Sequence, residues 1–209
     1  MAEKKQAGAE EEKQAGNISR RSVIAGAALV PVAAITSAAQ PAASESALSA
    51  MQLRTLEAFV DRLIPKDELG PGATESGVAV YINRSLGDYL APEKVAFIAG
   101  LEATDAFARR TEDRAFTELS PEKQDAVLTA MDNGTAAGFP DARAFFGRVR
   151  RLALEGMFGD PSYGGNRNFA GWDLIRYPGP RLAVSPEDQK MGVAIKPLRS
   201  SAYGNGHGH

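Results

Sequence analysis

Five apolar stripes at helical spacing, and no stretch of sustained period-two alternation, confine this chain to an all-α fold. In the cleanest stripe Leu53, Leu56, Phe59, Val60, Leu63 and Ile64 recur three and four residues apart, while Arg54, Glu57, Asp61 and Arg62 fall mostly outside it. Ser49 with Gln52 three residues on is a capping box, and Pro65 stops the helix. Asp61 and Arg62 are expected to form a solvated surface pair.

The second stripe, Val78, Tyr81, Ile82, Leu86 and Tyr89, predicts a helix over residues 75–90, weakened by Gly77 and Gly87. Pro92 suits the first position of a third helix carrying Val95, Ile98, Leu101 and Phe107 inward. Ser120-Pro121-Glu122 starts a fourth, with Val127, Leu128 and Met131 buried and Gly134 at its end. Asp141 is placed to cap the fifth and longest, where Phe145, Phe146, Val149, Leu152, Ala153, Gly156 and Met157 share a face. Arg143, Arg148, Arg150 and Arg151 project from the other side, as a solvated face or one that meets an acidic partner. Asp67, Glu68 and Glu75, in the Gly/Pro turn after the first helix, match no calcium-loop spacing.

After the fifth helix comes DPSYGGNRNFAGWDLIRYP, residues 160–178, too long for a plain connection. Gly164, Gly165 and Gly171 permit tight backbone turns, Pro161 and Pro178 fix the ends, and Tyr163, Phe169, Trp172 and Tyr177 fasten the loop to the helices beneath. Asn166 and Arg167 give the loop the look of ligand chemistry. Arg167, beside Gly164 and Gly165, has two readings: its forked donors bind a carboxylate or phosphate, or they pair with a core carboxylate and hold the loop.

Several chemistries are excluded by what the sequence lacks. Cysteine is absent, which removes disulfides, thiolate nucleophiles, iron–sulfur ligation and covalent haem attachment. The two histidines, His207 and His209, stand in a glycine-rich terminus expected to be solvated, so neither an internal histidine base nor a histidine metal site is available. No nucleotide-cradling glycine motif and no G-x-S-x-G occurs, and no metal site is expected. With a net charge of −2 and no clustered basic face, nucleic acid is not an expected partner. One core-forming domain plus tails is the expected organisation for 209 residues.

The amino-terminal region has the layout of a twin-arginine export signal. A polar leader over residues 1–18 precedes Ser19-Arg20-Arg21-Ser22 and a weakly apolar, Ala/Gly-rich run over 23–34. Gly26, Pro31, Thr36 and Ser37 keep that run short of the ~20 apolar residues a spanning helix needs. Ser37 and Ala39 satisfy the small-residue rule for a cut before Gln40. The expected divisions are a signal over 1–39, an unstructured linker over 40–48, a helical domain over 49–179 and an extended tail over 180–209, whose last ten residues, SSAYGNGHGH, are expected to be disordered.

The leader, DRLIP at 61–65, PGATESGV at 71–78, and FFGRVRRLALEGMFGDPSYGGNRNFAGWDLIRYPG at 145–179 together resemble the gluconate 2-dehydrogenase subunit 3 family. The resemblance covers most of residues 50–179, and its specific portion is matched by Asp160, Pro161, Tyr163, Gly164, Gly165, Asn166, Gly171 and Trp172. It implies a non-catalytic small subunit of an exported flavin-dependent sugar or sugar-acid dehydrogenase, with no catalytic residue and no cofactor of its own. The implied partners are a large FAD-bearing flavoprotein of the glucose-methanol-choline type, a multihaem cytochrome c in many such complexes, and the twin-arginine translocase, with a periplasmic location. The small subunit would carry the export signal and aid maturation or stability of the large one. The alternative is a stand-alone exported sugar-binding module or enzyme using Asp160, Asn166 and Arg167. On the leading reading, the 160–178 loop lies in the partner interface, with Trp172 or Tyr163 as aromatic anchor.

Overall fold

The computed structural model describes residues 46–203, so the twin-arginine segment, the cut before Gln40 and both histidines lie outside the described residues. The described residues are all-α: six helices, α1 (Ala50–Leu63), α2 (Val78–Gly87), α3 (Lys94–Glu112), α4 (Pro121–Asp132), α5 (Ala142–Phe158) and the short α6 (Ala170–Leu174), with no strand among them. Helix α1 is the central post, touching α2, α3, α4 and α5. Its Phe59 is fully buried, meets Phe145 edge-on at 6.2 Å between ring centroids, and lies 6.2 Å from Phe116 and 6.0 Å from Phe146. Truncating a ring so enclosed costs about 3–5 kcal/mol, which makes this cluster the keystone of the bundle.

Where the helices begin follows local chemistry. The capping box on α1 is formed, with Gln52 N donating to Ser49 Oγ at 3.4 Å and Ser49 N donating to the Gln52 side chain at 2.9 Å. Pro121 occupies the first turn of α4, where its missing N–H is not needed. Asp141 precedes α5 without its carboxylate capping an amide, contrary to expectation. Helix α2 is shorter than the predicted 75–90, because Glu75 folds back to accept the Gly72 amide at 3.1 Å and Gly77 takes a left-handed φ of 73° immediately before Val78.

The phase of α3 also differs from the predicted stripe. Phe97, Gly100, Leu101, Thr104, Phe107 and Ala108 face the core, whereas Val95 is 80% exposed. At about 100° per residue, Val95 and Leu101 stand roughly 120° apart around the helix and do not share a face. Tyr89, expected inward, is also exposed, although its hydroxyl lies 2.9 Å from that of Tyr81.

Two charged residues predicted at the surface are tied across the fold. Arg62 makes two 2.8 Å hydrogen bonds to the carboxylate of Asp125 on α4, and Asp61 turns instead to the Thr74 hydroxyl at 3.1 Å. Arg148 meets Glu93 at 2.6 Å and is largely covered, while Arg143, Arg150 and Arg151 are exposed. The last residues of the expected linker belong to the core as well: Ala47 and Leu48 are buried, and Leu48 N donates to Asn83 Oδ1 at 3.0 Å.

Candidate functional site

The 160–178 loop is the carboxyl-terminal cap of α5. A helix leaves its last four carbonyls without partners inside the helix. Three of them are satisfied here: Glu155 O accepts from Gly159 N at 2.8 Å, Gly156 O from Asn166 N at 2.8 Å, and Phe158 O from the indole Nε1 of Trp172 at 2.9 Å. The chain must double back onto the helix end to deliver these donors. It does so where a side chain would not fit, since a Cβ on Gly165 would lie 2.1 Å from Gly156 O and one on Gly171 would lie 1.8 Å from Met157 O.

Asn166 is the hub of that return. It is fully buried, with a left-handed φ of 45° that asparagine tolerates better than most residues. Its Nδ2 donates to Gly159 O at 2.8 Å and its Oδ1 accepts the Gly171 amide at 2.8 Å, which ties the end of α5 to the start of α6. Asp160 opens the loop by accepting the Ser162 amide at 2.9 Å, just before the turn Pro161–Tyr163. Burial raises the Asp160 carboxyl, but hydrogen bonds from Ser201, Ser162 and Ala202 outweigh it and hold the group below the usual carboxylate range.

The sequence-predicted residues therefore divide. Asp160, Gly165, Asn166 and Trp172 build the cap, Trp172 being only 6% exposed with its ring 5.5 Å from Phe169 and 4.9 Å from Tyr177. Tyr163 is half exposed and faces outward. Arg167 is exposed, and the pairing with a core carboxylate is not formed: among the described residues no acidic group lies within ion-pair distance of it. Its guanidinium instead lies across Gly77, and its amide donates to Ser76 O at 3.0 Å. In the opposite direction the Arg84 side chain of α2 lies across Gly164. Arginine over glycine, once from each side, is how the loop sits against α2. A cleft of about 590 Å³ separates them further along, lined by Arg84, Asp88, Tyr89, Ser162 and Tyr163.

The tail, which carried no pattern, closes over the loop. Arg199 Nη2 donates to both oxygens of the Asp173 carboxylate at 2.7 and 2.9 Å, and its Nη1 donates to Asn168 O at 3.2 Å. Ala202 N donates to Asp160 Oδ2 at 2.8 Å, and Tyr163 and Tyr203 pair through their hydroxyls at 3.0 Å. Residues 200–203, part of the stretch expected to be disordered, are thus packed on the loop; residues 204–209 lie outside the described ones. Arg199, Ala202 and Tyr203 were invisible to sequence reasoning because nothing local marks a contact made with a segment some thirty to forty residues earlier.

Beneath the site a second polar cluster joins α2 to α5. The Tyr81 hydroxyl contacts that of Tyr89 and donates to Glu155 Oε2 at 3.1 Å. Burial, then the hydrogen bond to Tyr89 and the nearby Glu155 charge, push the Tyr81 phenol well above its ordinary value. Among the described residues no group of three metal-ligating side chains comes together, and no helix is long and apolar enough to cross a membrane.

Residues 50–179, more than half of the chain, match the protein family described as Gluconate 2-dehydrogenase subunit 3. The chain belongs to the gluconate 2-dehydrogenase subunit 3 family. The match begins on the first residue of α1 and ends at Gly179, so it takes in all six helices and the capping loop and stops where the tail starts. No curated protein and no solved structure matches the chain significantly. Within the subunit 3 match, the DP-x-YGGN-x-x-x-x-GW run has a direct physical reason: Asp160 starts the turn, Gly165 and Gly171 let the backbone touch the helix end, and Asn166 and Trp172 supply donors to its carbonyls.

Proposed function

We propose that this chain is a non-catalytic small subunit of an exported, flavin-dependent dehydrogenase acting on a sugar or sugar acid. The observation that carries the reading is the subunit 3 family match over every helix of the described fold. On this reading the catalytic work and the FAD belong to a large flavoprotein of the glucose-methanol-choline type, with a multihaem cytochrome c as a further partner taking the electrons. The present chain binds no cofactor. It carries the twin-arginine signal at Ser19, Arg20 and Arg21 for the assembled pair, delivers it to the periplasm through the twin-arginine translocase, and aids the maturation or stability of the large subunit.

The construction of the loop supports an assembly role over a stand-alone sugar site. Both amide atoms of Asn166 are engaged inside the cap, which leaves Asp160, Asn166 and Arg167 without a shared open face for a sugar. What the loop presents outward is a rigid surface around Tyr163, suited to a protein partner. The deciding experiment is co-expression with a large flavoprotein subunit of the glucose-methanol-choline type followed by cell fractionation. Arg20→Lys with Arg21→Lys is expected to leave the large subunit in the cytoplasm; its normal export would overturn the proposal. Sugar-dependent dye reduction by the purified chain alone, with a flavin spectrum, would favour the stand-alone enzyme instead.

A further inference from the structure

Between the capping loop and the tail lies a pocket of about 460 Å³ that the subunit 3 match does not account for, because one wall comes from beyond residue 179. Tyr163, Trp172 and Tyr177 of the loop and Tyr203 of the tail line it, with Ile175 at its side. The rings stand in edge-to-face pairs, Tyr163 with Tyr203 at 5.7 Å and 75°, and Trp172 with Tyr177 at 4.9 Å and 78°.

Among the described residues the lining carries one carboxylate, Asp160, and no lysine, arginine or histidine. Each Asp160 oxygen accepts one backbone amide, Ser162 N at 2.9 Å and Ala202 N at 2.8 Å. With the Ser201 hydrogen bond they hold the group ionised, so the pocket wall carries a negative charge. An uncharged occupant would desolvate that carboxylate without neutralising its charge, which is unfavourable. A cation is met by the carboxylate charge and by an aromatic lining together.

Resting on the small-subunit reading above, we infer that this pocket receives an arginine side chain presented by the large subunit. Guanidinium fits better than ammonium, because it is planar, weakly hydrated and stacks on aromatic side chains. Ile175, Tyr177 and Tyr163, all exposed at the mouth, supply the apolar rim that a protein surface carrying the arginine would cover.

Trp172 is the only tryptophan in the chain, so its fluorescence reports on this pocket alone. The full chain, free of partner, is titrated with n-butylguanidinium and with the neutral isostere n-butylurea. The expected result is a saturable change for the guanidinium with about tenfold preference over the urea, lost in Tyr203→Leu and in Asp160→Asn. Tyr203→Leu lies outside the helical domain, so it tests the pocket without disturbing the cap. Equal response to both probes, or none to either, overturns the inference even where the large subunit co-purifies and the small-subunit reading stands. Guanidinium preference in a chain with which no large subunit co-purifies overturns the assignment of the arginine to that partner.

Discussion

Asn166 accepts the buried amide of Gly171 through Oδ1 at 2.8 Å, and through this bond one side chain joins α5 to α6. Asn166→Ala would leave the Gly171 N–H and the Gly159 carbonyl unpartnered. Each orphaned group costs about 1–3 kcal/mol, so a loss of roughly 2–6 kcal/mol is expected. Urea denaturation followed by circular dichroism measures it. Asn166→Asp keeps an acceptor but loses the donor and buries a charge, and should be no more stable than the alanine variant.

Two glycines on or beside α5 should respond oppositely to the same change. A Cβ at Gly171 would stand 1.8 Å from Met157 O, whereas nothing lies within 4 Å of one at Gly147. Gly171→Ala must displace backbone and should destabilise strongly, by more than about 3 kcal/mol. Gly147→Ala, at an exposed helical site, should raise stability by about 0.5–1 kcal/mol. Thermal melts of the two variants side by side decide the matter, and equal effects would contradict the cap geometry.

The hydrogen bond and charge of Arg62 hold the Asp125 carboxyl below its ordinary value, against a smaller opposing effect of burial. A depressed folded value contributes stability that is complete above the unfolded aspartate value of about 3.9 and is lost as pH falls through the lower folded value. Asp160 follows the same sign. Melting temperature measured from pH 6 down to acid should therefore fall, and Asp125→Asn should flatten part of that slope. With Asp125 half exposed, solvent screens the pair and the change at neutral pH should be small.

Arg199 pins the tail to the loop through an exposed ion pair of its Nη2 with Asp173. Exposed pairs contribute little to global stability, so Arg199→Ala should alter it by less than about 1 kcal/mol. The tail itself should open locally. Faster amide exchange over 198–203, with the Asn166 region unchanged, is the expected pattern; unchanged exchange in the tail would show that the ion pair does not hold it.

A separate change tests the Tyr81 cluster. Its raised phenol should stay protonated through the ordinary tyrosine range while the protein remains folded. In a spectrophotometric titration, Tyr81→Phe should therefore leave the early part of the tyrosine absorbance change intact and remove only a late component.

The helices were legible because their signals are local. The capping box at Ser49 and Gln52, Pro121 at the start of α4 and the stripe from Phe145 to Met157 each depend on residues within a few turns of one another. The phase of α3 was misjudged because Val95 and Phe97 are both apolar and close in sequence, so only packing against α5, where Phe97 meets Phe145 at 5.3 Å, selects one of them. In the loop, the glycines, Asn166 and Trp172 announced an ordered structure. What they were ordered around, the carbonyls at the end of α5, follows from backbone geometry that residue types do not state.

The sequence by itself thus determined the all-α class, five of the helices, the special status of residues 160–178 and the family to which they belong. The tertiary structure decided that Arg62 reaches Asp125, that Arg167 rests on Gly77 without a carboxylate, and that Tyr203 returns to Tyr163. The reason is the range of the forces involved. Helical periodicity and capping are settled among near neighbours, whereas Arg62 and Asp125 are 63 residues apart and meet only once the core has packed and brought α1 against α4.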